Sequence, residues 1–175
     1  MDTRRGIISI AICGLPFLLL PVTGMMAAGR RVSPLPRTEP EACALLTNAD
    51  AAKALEVASV SNKRIVDGDP TGCVWSNDPA AGDTSRRVLL VTHTPRAFGF
   101  AKHPAITTIK IEPVSGIGDE AFYQVYPSGG PFIWVRKGNV AISIRILTRA
   151  NPRAFTDDQD KAKEVVLAKA AVAKL

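Results

Sequence analysis

The chain reads as an α+β domain, a mostly antiparallel sheet with an N-terminal and a C-terminal helix packed on one face. Three observations predict it. Apolar runs with strand periodicity recur along the chain, most clearly on both sides of Gly138 and Asn139. Helix-start signatures at Thr47 and Thr156 bracket those runs. The 175 residues are 46% hydrophobic and 22% charged, which suits one ordinary core and excludes collagen, a coiled coil or a disordered polymer.

The amino terminus is read first as an address. Arg4 and Arg5 precede an uncharged stretch from Ile7, and small residues Ala27, Ala28 and Gly29 arrive just before Arg30. These are the three parts of a secretory leader, so residues 1–28 are expected to be a cleaved signal peptide. The alternative is a retained N-terminal anchor, because Ile7 to Ala28 carries no charge and is long enough to cross a bilayer. Pro16 and Pro21 weaken such a helix, and basic residues flank both of its ends. A twin-arginine signal is not supported, since the run after Arg5 is strongly apolar. Nor is a lipoprotein, since Cys13 follows Ile12 in the middle of the run. Residues 29–40, with Pro34, Pro36 and Pro40, are expected to form a flexible tether, and residues 41–175 a single domain.

Within that domain, Thr47 and Asp50 resemble a capping box opening a short helix from Ala49 to Leu55. Val60 to Val66 and Gly72 to Ser76 read as two strands around a turn at Asp67, Gly68 and Asp69. Cys73 and Trp75, two apart, share a face, so the tryptophan is expected in the core. After a polar turn from Asn77 to Ser85, Arg87 to Thr94 is apolar on both faces and reads as a central strand. Pro95 suits a first helical position and Pro104 a stop, which frames a short helix through Lys102. Ile109 and Ile111 alternate with Lys110 and Glu112 in a half-buried strand.

The stretch from Pro131 to Leu147 predicts a hairpin with a two-residue loop at Gly138 and Asn139. That register pairs Val135 with Ile142 and Ile133 with Ile144 on one apolar face, and Trp134 with Ser143 and Phe132 with Arg145 on the other. Finally, Thr156 and Gln159 make a capping box, Asp157, Asp158 and Asp160 favour the first turn, and Lys169 and Lys174 favour the last, which predicts a terminal helix.

The charged groups number 22 Lys+Arg against 16 Asp+Glu, a net +6. Basic residues are scattered and form no block, so nucleic acid is not an expected partner. Loss of a leader would remove Cys13 and leave Cys43 and Cys73, which allow one intramolecular bond; two buried free thiols are the alternative. Cys43, Cys73, His93 and His103 lack the close pairs of a compact zinc motif, and nothing in the sequence implies a metal or a cofactor.

Several short motifs then coincide: Cys43 to Thr47; Gly72, Cys73, Val74 and Trp75; Gly116 to Ala121; and Arg136 to Asn139. Together they resemble a family of small exported bacterial proteins of uncharacterised function, many of them actinobacterial lipoproteins. The likeness runs from Cys43 to the terminal helix. It implies an envelope domain with a disulfide and supplies no catalytic residues; the lipidated cysteine common in that family has no counterpart here.

Few groups can do chemistry. His93 and His103 are the available bases, neither with an evident nucleophile beside it, and no Gly-Xaa-Ser-Xaa-Gly elbow occurs. Gly116, Gly118, Asp119 and Glu120 read as a turn in which Asp119 bonds local backbone, and Gly129 and Gly130 as a hairpin loop. The expected function is therefore a noncatalytic, exported module, periplasmic or extracellular. It would bind a protein partner or small envelope ligand across Phe132, Trp134, Arg136 and Arg145. It would meet the membrane only if the N-terminal segment is retained. The alternatives are an enzyme acting on cell-envelope material through Asp119, Glu120 or His93, and a purely structural envelope protein.

Overall fold

A computed structural model describes residues 41–65, 71–78, 86–127, 129–148 and 156–175. The expected leader or anchor, the tether and the turn at Asp67 to Asp69 lie outside the described residues. In chain order the elements are α1 (Ala42–Leu45), α2 (Asn48–Leu55), β1 (Ser61–Ile65), β2 (Gly72–Ser76), β3 (Arg86–His93), α3 (Pro95–Lys102), β4 (Lys110–Val114), β5 (Glu120–Tyr126), β6 (Gly130–Lys137), β7 (Val140–Thr148) and α4 (Asp157–Val172). All seven strands join one sheet in the order β1-β2-β3-β7-β6-β5-β4, every pair antiparallel.

This corrects the expected architecture. The sheet dominates, α1 and α2 span 4 and 8 residues, and only α4, with 16, is long. Nor are the helices confined to one face. Leu45, Leu55, Leu167 and Ala171, from α1, α2 and α4, bury against Trp75, Val88, Leu90, Ile133 and Ile142. On the opposite face, Phe98 of α3 packs on Phe122, Trp134 and Ala141. The reason lies in β5, which has no alternating period: it carries Ala121 and Tyr123 towards the first core and Phe122 towards the second. With both sheet faces apolar at this point, each needs its own cover.

Local sequence signals explain the helix ends. Thr47 Oγ1 accepts from Asp50 N–H at 3.1 Å while Thr47 N–H donates to the Asp50 carboxylate at 2.9 Å. Thr156 and Gln159 repeat this reciprocal cap at 3.3 and 2.9 Å. At α3, Pro95 opens the helix and Thr94 Oγ1 accepts from Ala97 N–H. The hairpin register is the one expected, with Lys137 opposite Val140, Val135 opposite Ile142 and Ile133 opposite Ile144. Cys43 and Cys73 form a disulfide, closing a separation of 30 residues and tying α1 to β2. Cys73 and Trp75 are both fully buried on the same face. Among the described residues no helix is long and apolar enough to cross a membrane.

One buried polar contact holds α4 to the sheet. The β6–β7 ladder ends at Ile133 and Ile144. Ile146 N–H instead donates to Glu164 Oε1 at 2.9 Å. Glu164 is fully buried, and its Oε2 has no hydrogen-bond partner among the described residues. Burial pushes its carboxyl well above the usual 4.5; the Ile146 amide and Arg145 oppose that rise, and neighbouring Asp160 adds to it.

A carboxyl raised in the folded state contributes stability that is complete below its unfolded pKa, about 4.5, and is lost as pH climbs through the folded value. Urea unfolding should therefore show stability falling as pH rises above that point. Glu164→Gln, which keeps an oxygen for Ile146 N–H without a charge, should flatten the fall and be the more stable form in mild alkali. Parallel pH profiles for the two proteins would count against a protonated Glu164.

Candidate functional site

The sheet face under α3 carries the residues singled out in the sequence. Phe132, Trp134 and Arg136 alternate along β6 and so point to the same side. Arg145 of β7 joins them, its guanidinium 5.5 Å from the Phe132 ring centroid. The four do not share one environment.

Trp134 is only 8% exposed. Its indole N–H donates to Gln124 Oε1 at 3.0 Å, and Gln124 Nε2 donates to the Ala101 carbonyl of α3 at 2.6 Å. The His93 ring lies 4.3 Å from the indole, and Phe98 and Phe122 rings meet at 4.9 Å beside it. The helix that the aromatic face could have been left without is thus present, and Trp134 is part of its seat.

Phe132 lies further along, half-buried, with Tyr126 stacked on it at 5.3 Å and an interplanar angle of 16°. Arg145 Nη2 donates to the Gly129 carbonyl, which holds the guanidinium over Phe132. Planar groups therefore present a half-open stack of Tyr126, Phe132 and Arg145, a geometry suited to a flat or ring-bearing ligand.

Arg136 belongs to a charge cluster at the other end of β6. Its guanidinium reaches Asp119 at 3.7 Å and Glu120 at 3.6 Å and lies 6.0 Å from the Phe98 ring centroid. Lys102 Nζ also pairs with Glu120. That contact and the two neighbouring cations hold the Glu120 carboxyl below the usual carboxylate range.

Asp119 differs from expectation in its partner. Rather than local backbone, it accepts from Gly138 N–H at 2.7 Å, while its own N–H donates to the Arg136 carbonyl at 2.8 Å. Gly118 makes this approach possible: its φ is +60°, and a Cβ there would lie 2.5 Å from the Arg136 carbonyl oxygen. The Gly116 to Ala121 and Arg136 to Asn139 motifs thus form one structural junction between two turns. Beside it lies a cleft of about 420 Å³ with Ile111, Pro113 and Phe122 among its apolar walls and Lys102, Asp119 and Glu120 among its charged ones.

A histidine–serine contact without a local sequence signal also emerges. His93 Nε2 and Ser143 Oγ are 2.8 Å apart, a hydrogen bond whose direction depends on the histidine tautomer. Ser143 was legible only as the cross-strand neighbour of Trp134. Its approach to His93 depends on β3 pairing with β7, with Val91 opposite Ser143, a contact made 50 residues apart in the chain. Asp119 does not complete that pair, because its carboxylate is directed to Gly138 and Arg136. Among the described residues no group of three or more His, Cys, Asp or Glu is placed to hold a metal ion.

No family model, curated protein or solved structure matches the chain. The reading of function therefore rests on the residues themselves.

Proposed function

We propose that the chain is an exported, noncatalytic binding module of the cell envelope, related to the small bacterial envelope proteins its motifs resemble. The observation that carries the reading is the half-open stack of Tyr126, Phe132 and Arg145, which offers two aromatic rings and a guanidinium on one surface. The disulfide is compatible with an oxidising compartment. Arg136 and Trp134, also singled out in the sequence, lie outside this stack: Arg136 is at the other end of β6 with its charge met by Asp119 and Glu120, and Trp134 is buried between them.

A photo-crosslinking amino acid placed at Phe132 or Tyr126 in living cells tests it. A discrete adduct from either position, absent from the same substitution at Val166 on α4, is the expected result, and mass spectrometry would identify the protein or small ligand. Identical products from all three positions would argue against a site on this face.

The His93 and Ser143 pair favours a second reading, an enzyme acting on envelope material with Ser143 as nucleophile and His93 as base. Covalent modification of Ser143 by a fluorophosphonate probe, lost in His93→Ala, would favour it over the binding module. If no adduct forms and Ser143 is inert, a purely structural envelope role is the reading left.

A further inference from the structure

α4 divides its polar and apolar residues against the usual rule. A helix seated on a sheet ordinarily turns its charged side chains outward and its apolar ones inward. In α4 the carboxyl side chains of Asp160 and Glu164 are fully buried, whereas Val166 is 60% exposed. Val166 belongs to an outward stripe. At 3.6 residues per turn Asp158, Ala162, Val166 and Lys169 fall within about 80° of one another, and all four are exposed.

The stripe is apolar in the middle and carries opposite charges at its ends. Asp158 lies in the first turn and Lys169 in the last, and neither forms an ion pair among the described residues. Beside Val166 runs a groove of about 320 Å³ between α2 and α4, with Ala54, Ala162, Leu167 and Ala170 among its apolar walls. On its rim Asp50 is held in the α2 cap, Lys163 pairs with Glu56, and Lys53 is exposed.

The order of charges says what fits. A complementary surface has a cation where Asp158 lies, small or apolar groups at the centre and an anion where Lys169 lies. A partner or lipid surface of one sign satisfies one end and opposes the other. The same stripe run in the opposite direction satisfies both. The midpoint between Asp158 and Lys169 falls between Ala162 and Val166. A two-fold axis through it sets Asp158 of each copy against Lys169 of the other, and Val166 of each beside Ala162 of the other, next to the groove. Alanine at these positions lets two helices approach to the ~8 to 10 Å of packed pairs, and antiparallel macrodipoles attract.

We propose that the outward stripe of α4 is the contact of a two-fold homodimer, docked antiparallel on the same stripe of a second copy. α4 lies on the face of the sheet opposite α3, so the contact is independent of the Tyr126, Phe132 and Arg145 stack and leaves one stack open on each copy. One helix face is smaller than a standard protein interface, so the dimer is a weak one.

The test uses the full chain in living cells with a photo-crosslinking amino acid at Val166. The expected product has twice the mass of the chain and joins α4 to α4, which distinguishes it from any adduct formed at Phe132 or Tyr126. By symmetry, Asp158→Lys sets lysine against lysine at both ends, and it should reduce the product about tenfold, each exposed pair contributing roughly threefold. Lys169→Asp should do the same. The double variant should recover the parent yield, and so should co-expression of the two single variants. This rescue separates an interface from helix stability: each reversal opposes the α4 dipole, so a loss caused by a weakened helix would be greatest in the double variant.

Absence of a dimeric product at position 166 overturns the proposal, and so does a product that joins this position to a different protein. A yield unchanged by the single reversals, or a double variant no better than they are, removes the antiparallel pairing. The same dimer formed equally from a crosslinker at Phe132 would report crowding of the chain and overturn it too.

Discussion

Reducing the bond between Cys43 and Cys73, or replacing both cysteines by alanine, should cost about 3 to 4 kcal/mol of unfolding free energy, the loop-closure value for a separation of 30 residues. Set against the ~5 to 15 kcal/mol typical of a domain, that is a large share, and the melting temperature should fall by on the order of 10 °C or more. The local structure makes a smaller effect hard to reconcile with the fold. α1 is a four-residue helix whose N-cap residue Glu41 makes no side-chain cap, too short to be stable through its own backbone bonds. It is retained by burial of Ala42, Leu45 and Leu46 and by the bridge from Cys43 to β2.

Alanine is the better replacement than serine, because Cys73 is fully buried and a hydroxyl there would need a partner. Thermal unfolding with and without reductant, and of the double variant, measures the effect. If reductant leaves the melting temperature of the parent unchanged while intact mass confirms reduction, the bridge contributes nothing to stability. The double variant would then be expected to match the parent.

What the sequence made legible was local. The caps at Thr47 and Thr156 and the hairpin register from Lys137 and Val140 to Ile133 and Ile144 depend on residues a few positions apart, or on one tight turn. The single disulfide followed from counting thiols once a leader was assumed. Long-range relations were not legible. β5 has no clear local signal, because Gly116, Gly118 and Asp119 announce a turn and the strand that follows is apolar on both faces. Without β5, the second sheet face had no Phe122 for Phe98 to meet, and α3 could not be assigned a side.

The candidate site shows the same division. That Phe132, Trp134 and Arg136 share a side of β6 follows from strand periodicity alone. Which of them is covered depends on where α3 crosses the sheet, and neither the pairing of His93 with Ser143 nor that of Asp119 with Gly138 has any local signature.

Trp134 is where that distinction has its largest measurable consequence. Read as an open ligand platform, the indole could be truncated with little effect on stability. Its position beneath α3 predicts the opposite: Trp134→Ala should destabilise the protein by about 3 to 5 kcal/mol, the cost of emptying a buried aromatic site. The loss would not stop at the ring. Gln124 accepts from the indole and donates to the Ala101 carbonyl, so the truncation removes one end of the polar chain that ties α3 to the sheet. Amide exchange near Ala101 and Lys102 should accelerate more than exchange in β2 or α4.

Trp134→Phe separates the two contributions. It keeps an aromatic ring against His93 and Phe122 but leaves Gln124 Oε1 without its donor, a penalty of about 1 to 3 kcal/mol. Equilibrium denaturation of the two variants gives both values. A Trp134→Ala protein that melts with the parent would mean that α3 does not seal the ring in solution, and the whole aromatic face, rather than its Tyr126 and Phe132 end, would then be open to a ligand.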